Sequence, residues 1–285
     1  MKNAYPNLGR VRELLEDFDI VATTLNVALV GQSARHSSLR ENVAAAVIAS
    51  SMNLSSLDYA KKRYVRKTSD IPSVDKTVNL KDQYVNTYFS SKNYMAEVRS
   101  RLVTPNTDLP SDAVFGASLV LERLAASFFS AHLLYCLGHS YEGHAVSRLI
   151  LEQIAWSVAA YSLADKSDVT DIVTTKAISE LKKLVPEAGL LYGFLSNKTH
   201  IDHSSHLEFL DVQNGANVVR YFHHEFEEYA LVLVRLTDFF VIAWEFTQRD
   251  FLKTFDSLNF NLEEVSLVKN RPFLLKMNAI FPDLF

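Results

Sequence analysis

Residues 143–163 read GHAVSRLILEQIAWSVAAYSL, and residues 186–210 read PEAGLLYGFLSNKTHIDHSSHLEFL. At about 100° per residue, the first stretch spreads Val146, Leu149, Ile150, Leu151, Ile154, Ala155, Trp156 and Val158 around nearly the whole circumference of a helix. A helix that is apolar on every side is one packed among other helices. Its only charges, Arg148 and Glu152, are four residues apart and share a face. Working outward, most other apolar runs repeat at helical spacing, and strand-like alternation is scarce. These patterns predict an all-α, multi-helix bundle of eight or nine helices with no substantial sheet.

Composition agrees with that reading. The chain has 285 residues, 48% hydrophobic and 22% charged, which is ordinary for a globular protein. Eight Gly and seven Pro are few turn residues for this length and favour long helices. The net charge of −4 supplies no global positive field for nucleic acid or an anionic membrane. One cysteine, Cys136, excludes an intrachain disulfide and suits a reducing, cytoplasmic setting, where it reads as a small buried hydrophobe. The first residues, MKNAYPNLGRVRELLEDFD, lack the apolar run of a secretory signal. The most apolar window, Ala230 to Phe246, is short for a membrane span and carries Arg235, Asp238 and Glu245. It reads as a core helix, so no membrane is expected.

In chain order, residues 10–30 predict a first helix from the spacing of Val11, Leu14, Leu15, Phe18, Val21, Ala22 and Leu25. Arg40–Leu57 and Leu80–Val103 predict two more. The run Lys61, Lys62, Arg63, Arg66 and Lys67, interleaved with Tyr59 and Tyr64, carries the residue types that grip a phosphate backbone and stack on bases. A solvated helix end has the same composition. The segment TPNTDLPS, 104–111, is the clearest linker, separating an N-terminal helical region, 1–104, from a C-terminal bundle, 112–285, unless the two form one continuous domain. Ser111 is placed to cap the next helix, Ala113–Leu137. Ile172–Val185 predicts a short amphipathic helix, 211–217 a turn, and Val218–Phe255 one long helix. The apolar tail 271–285 is expected to strap onto the body or onto a second copy in a homodimer.

The candidate site joins the two opening stretches. A buried guanidinium costs several kcal/mol unless paired, so Arg148 and Glu152 either face a wet cleft or form a satisfied ion pair. In the functional case Arg148 is an anion-binding fork and Glu152 orients it or acts as a base. On the second stretch, Tyr192, Ser196, Thr199 and His203 share a face if the helix continues, with His200 about 60° to one side. Tyr192, Ser196, Lys198 and Thr199 are the ligand-binding candidates, and His200 or His203 is the acid/base candidate beside Arg148 and Glu152. His200, His203 and His206, with Asp202, His223 or His224, raise a zinc alternative. Steps of three splay the outer two on a straight helix, so no metal and no cofactor are expected. Arg235 and Asp238 read as an i,i+3 ion pair, and His223 and His224 as surface residues.

Arg148-x3-Glu152 followed by Tyr192-Gly-Phe-Leu195-Ser196-Asn-Lys-Thr-His200 resembles a bacterial helical family of unknown function, similar in outline to the HEPN bundles. The resemblance covers roughly residues 115–245. It implies a helical bundle with the Arg and Glu on one helix facing the Tyr-Ser-His segment. Active HEPN ribonucleases are similar in using an Arg and a His four to six residues apart at a dimer seam. Here the nearest cation upstream of His200 is Lys198, and Arg148 comes from another helix. Two functions follow as expectations. One is a non-catalytic binding or interaction module with a buried polar cluster. The other is a HEPN-like enzyme of toxin or defence type, cleaving RNA or a nucleotide phosphodiester with His200 and Arg148.

Overall fold

The computed structural model describes residues 18–22, 27–31, 37–65, 76–103, 111–163, 171–200, 207, 210–213, 216–219, 225–261 and 265–280. Nine α-helices lie among them, with three two-stranded antiparallel hairpins as the only sheets, so the chain is an all-α multi-helix bundle. Contacts divide it into two compact units, Met1–Lys76 and Thr77–Phe285. The division falls ahead of the segment read as a linker. The helix over residues 80–103 therefore belongs to the C-terminal unit.

The first unit holds the hairpin β1 (Phe18–Ala22) and β2 (Val27–Gly31), then α1 (Ser37–Ser51) and α2 (Leu57–Ala60), which runs into one π-helical turn, Lys61–Val65. The helix expected over 10–30 is therefore overturned for its described part. Phe18 pairs with Gly31 and Ala22 with Val27. The apolar residues there also form two short β-branched runs, with Ile20 and Val21 in one and Val27 and Val30 in the other, and such residues favour a pleated strand.

The second unit is built on long helices: α3 (Lys76–Ser100), α4 (Asp112–Leu137), α5 (Ser140–Leu163), α6 (Thr174–Leu184), α7 (Ala188–Thr199), α8 (Phe226–Thr247) and α9 (Pro272–Ile280). Ser111 caps α4 as expected, its Oγ accepting from the Val114 amide. Gly138 ends α4 in the left-handed conformation, φ 79°, which glycine adopts without a Cβ penalty. The chain then reverses at once into α5. Contacts of Tyr135 with Ser147 and of Arg123 with Gln153 set α4 and α5 antiparallel. Those of Tyr141 with Thr199 and of Arg148 with Tyr192 do the same for α5 and α7. His144 meets Tyr229 and Tyr161 meets Phe246, so α5 and α8 run parallel.

The long helix expected over 218–255 is shorter at both ends. Strand β4 (Ala216–Val219) pairs with β3 (Leu210–Gln213), replacing the turn read there, and a 3-10 turn, Arg249–Phe251, follows α8. Every residue from Leu236 to Glu245 is buried, which bears out the core reading of that window. Asp238 is paired with Arg271 at 2.9 Å, where the i,i+3 partner Arg235 was expected. A third hairpin, β5 (Leu258–Phe260) with β6 (Val265–Leu267), precedes α9. Phe273 and Met277 of α9 are buried in the same core, so residues 272–280 strap onto their own chain. One described helix, α4, is long and apolar enough to cross a membrane. It also places Leu121, Leu124 and Phe128 in the core.

Candidate functional site

The polar seam lies between α5, α7 and α8. Helical spacing puts His144, Arg148 and Glu152 on one face of α5, and that face meets α7. The Arg148 Nε donates to Glu152 Oε1 at 3.0 Å, and its Nη2 donates to Tyr192 Oη at 3.2 Å. The guanidinium also stands 5.3 Å from the Tyr192 ring centre. The Arg148 side chain keeps 30% exposure, so the pair is partly open to solvent. Burial works against its charge, but Tyr192 and Glu152 outweigh that and raise its pKa.

One turn earlier on α5, His144 is almost wholly buried and edge-on to Tyr135, Phe194 and Tyr229. Its Nε2 lies 3.1 Å from Glu228 Oε1, close enough for an ion pair but not aligned as a hydrogen bond. Lys198 reaches Glu228 Oε2 at 3.4 Å and lies over the Phe194 ring. Burial pushes the Glu228 carboxyl up. His144 and Lys198 more than reverse this, leaving it below the usual carboxylate range. The two α5–α7 contacts, 141 with 199 and 148 with 192, place Ser196 opposite His144. Ser196 Oγ is buried and has no hydrogen-bond partner.

The expected residues divide accordingly. Arg148, Glu152 and Tyr192 converge by direct hydrogen bonds, and Ser196 and Lys198 share the seam with them. Thr199 is turned inward on its own helix, donating from Oγ1 to the Leu195 carbonyl, while its carbonyl accepts from Tyr141. His200 is the C-cap of α7, exposed, with ψ 134°. The helix thus stops at Thr199, where His200 leaves helical geometry, and the face expected to run on to His203 passes outside the described residues. His203 and His206, with Asp202, His223 and His224, lie outside the described residues. Among the described residues no three metal-ligating side chains group together.

Sequence reasoning missed His144 and Glu228. The signal was present for His144, since 144, 148 and 152 step along one helix face. Glu228 had no local signal, because its acidic neighbours Glu225 and Glu227 look identical in sequence. Of the basic run, Lys61 is held by Glu41 at 3.1 Å and by Asn42 at 2.8 Å. Lys62 and Arg63 are exposed, and Arg66 and Lys67 lie outside the described residues.

Comparison with protein-family models, with curated proteins and with solved structures finds no match to this chain.

Proposed function

We propose that this chain is a non-catalytic helical binding module whose seam is a structural network with one working edge, the Arg148 guanidinium. The observation that carries this reading is how Arg148 is held. Two of its five N–H donors are committed to Glu152 and Tyr192, which fix the plane, while the side chain stays partly exposed. A guanidinium oriented in this way suits a carboxylate or phosphate on a partner. The charged groups deeper in the seam bind one another, with His144 and Lys198 both turned to Glu228. The lone cysteine fits a reducing, cytoplasmic setting, and a homodimer through helix faces stays within the proposal.

A second reading is a HEPN-like enzyme cleaving RNA or a nucleotide phosphodiester. It is favoured by the Arg148–Tyr192 contact, which ties the Arg-x3-Glu helix to the Tyr-x2-Leu-Ser-x3-His segment. The exposed His200 would serve as acid/base beside Arg148, and Lys62 and Arg63 stay a separate candidate for nucleic-acid contact on the first unit. One experiment separates the two. Wild type, Arg148→Ala and His200→Ala are incubated with mixed-sequence RNA at stoichiometric protein, and the products are resolved on a gel. The module reading expects no cleavage by any of the three, and a lower melting temperature for Arg148→Ala alone. Cleavage by wild type that is lost in His200→Ala overturns it.

A further inference from the structure

Away from the seam, a cavity of about 160 Å³ opens where the start of α4 meets the end of α8. Leu102, Val103, Val114 and Phe251 give it apolar walls, and Ser118 and Gln248 add two polar groups. Leu102 and Phe115 are exposed at this place, so the cavity communicates with solvent. Gln248 is 97% buried, being only 3% exposed. Its Nε2 donates to Thr247 Oγ1 at 3.3 Å, but its Oε1 accepts no hydrogen bond among the described residues, and Ser118 Oγ makes none either. That oxygen is not itself enclosed, so it is accessible to a donor entering the cavity that Gln248 lines.

We propose that this cavity binds a small phenol-type molecule: one planar six-membered ring bearing a hydroxyl. Size sets the first requirement, since an apolar cavity of roughly 150 Å³ holds one benzene ring. Chemistry sets the second. A phenolic O–H donates and its oxygen accepts. Gln248 Oε1 is the acceptor it finds, and the Ser118 hydroxyl is the donor. The walls contribute apolar contact, and the polar pair selects a hydroxylated ring over a bare one. The site is independent of the Arg148 seam, so it stands or falls apart from the function proposed above.

The test uses the full chain and two probes of one shape, phenol and toluene, titrated and followed by ligand-observed saturation-transfer NMR. Phenol is expected to bind saturably, at least fivefold tighter than toluene. Ser118→Trp fills the cavity from a half-buried helix position and is expected to abolish the phenol signal while the circular dichroism stays that of wild type. Gln248→Met keeps the volume and removes the acceptor, and it is expected to bring phenol and toluene to equal affinity. Phenol binding that survives Ser118→Trp overturns the proposal. So does wild-type protein that binds toluene as tightly as phenol, whatever the fate of the Gln248 variant.

Discussion

At the scale of single residues, the core depends on close approach at Gly143 and on the burial of His132. Gly143 sits in the first turns of α5, where an added Cβ would stand 2.5 Å from Tyr135 Cε1. Tyr135 cannot retreat, because it is stacked on Tyr229 and hydrogen-bonded to Ser147. Gly to Ala within a helix ordinarily stabilises by up to about 1 kcal/mol. Here Gly143→Ala is expected to destabilise by about 1–3 kcal/mol through overpacking, read as a lower urea midpoint. His132 presents a different case. It lies flat on Tyr88, ring centres 3.8 Å apart, and burial pushes its pKa down from 6.5 to about 3. The unfolded chain protonates this imidazole below about pH 6.5 and the folded chain does not. Its stabilising share is therefore complete above 6.5 and lost as pH falls toward 3, by up to about 1.4 kcal/mol per pH unit. His132→Phe keeps the stacking but leaves the Tyr84 hydroxyl without its 3.3 Å neighbour. The melting-temperature gap between wild type and this variant should narrow steadily from pH 8 to pH 4.5, and a constant gap would refute the assignment. Nothing in the local sequence marks His132 as buried and neutral, because its stacking partners Tyr84 and Tyr88 come from another helix.

At the scale of elements, α9 is held to α8 by one buried ion pair and two buried side chains. Arg271 Nε donates to Asp238 Oδ1 at 2.9 Å. Burial still raises the Asp238 pKa to about 6, so the enclosed carboxylate is kept at a cost even beside its partner. Removing one partner strands the other: Arg271→Met is expected to lose about 3–5 kcal/mol of stability. Asp238→Leu combined with Arg271→Met should recover most of that loss in a double-mutant cycle monitored by chemical denaturation. Element type was legible wherever the apolar period ran long and uniform, as in α4, α5 and α8. It was not legible at residues 18–31, where the same apolar residues fit both a helical face and a short hairpin, and pairing across Phe18–Gly31 decided the outcome. The partner of Asp238 was equally hidden, since Arg271 is 33 residues away and the nearer Arg235 has the better local spacing. The Arg148–Tyr192 contact could be anticipated because both residues interrupt apolar runs, and a buried charge has to find a polar group.

At the scale of the whole molecule, nearly all of the described buried apolar side chains lie in the unit Thr77–Phe285, and the unit Met1–Lys76 contributes Ala45, Val47 and Ala60. A core of that size is sufficient for independent folding. A fragment of residues 77–285 is therefore expected to unfold in one cooperative transition by circular dichroism, within about 5 °C of the full chain, given that a 1 kcal/mol change moves a domain of this length by a few degrees. Loss of cooperativity in the fragment would show that the core depends on residues 1–76. The bundle and its central helix were readable from composition and period, whereas the division of the chain was not. The proline-rich segment 104–111 carries the stronger local break signals, but the packing of Tyr84, Tyr88, Met95 and Val98 against the main core joins the chain on its two sides. Near the end of α8, the Glu245 carboxylate accepts from the amides of Asp256, Ser257 and Leu258, at 2.7, 2.9 and 3.0 Å. Those three grips are on main chain and fix the spacing of residues 256–258, while Asp256 is also held through its side chain by Tyr94 and Arg101 and Leu258 lies in the core. One residue added between 248 and 256 would slide every amide past its oxygen, and homologues of this chain should vary there by substitution while keeping the length constant.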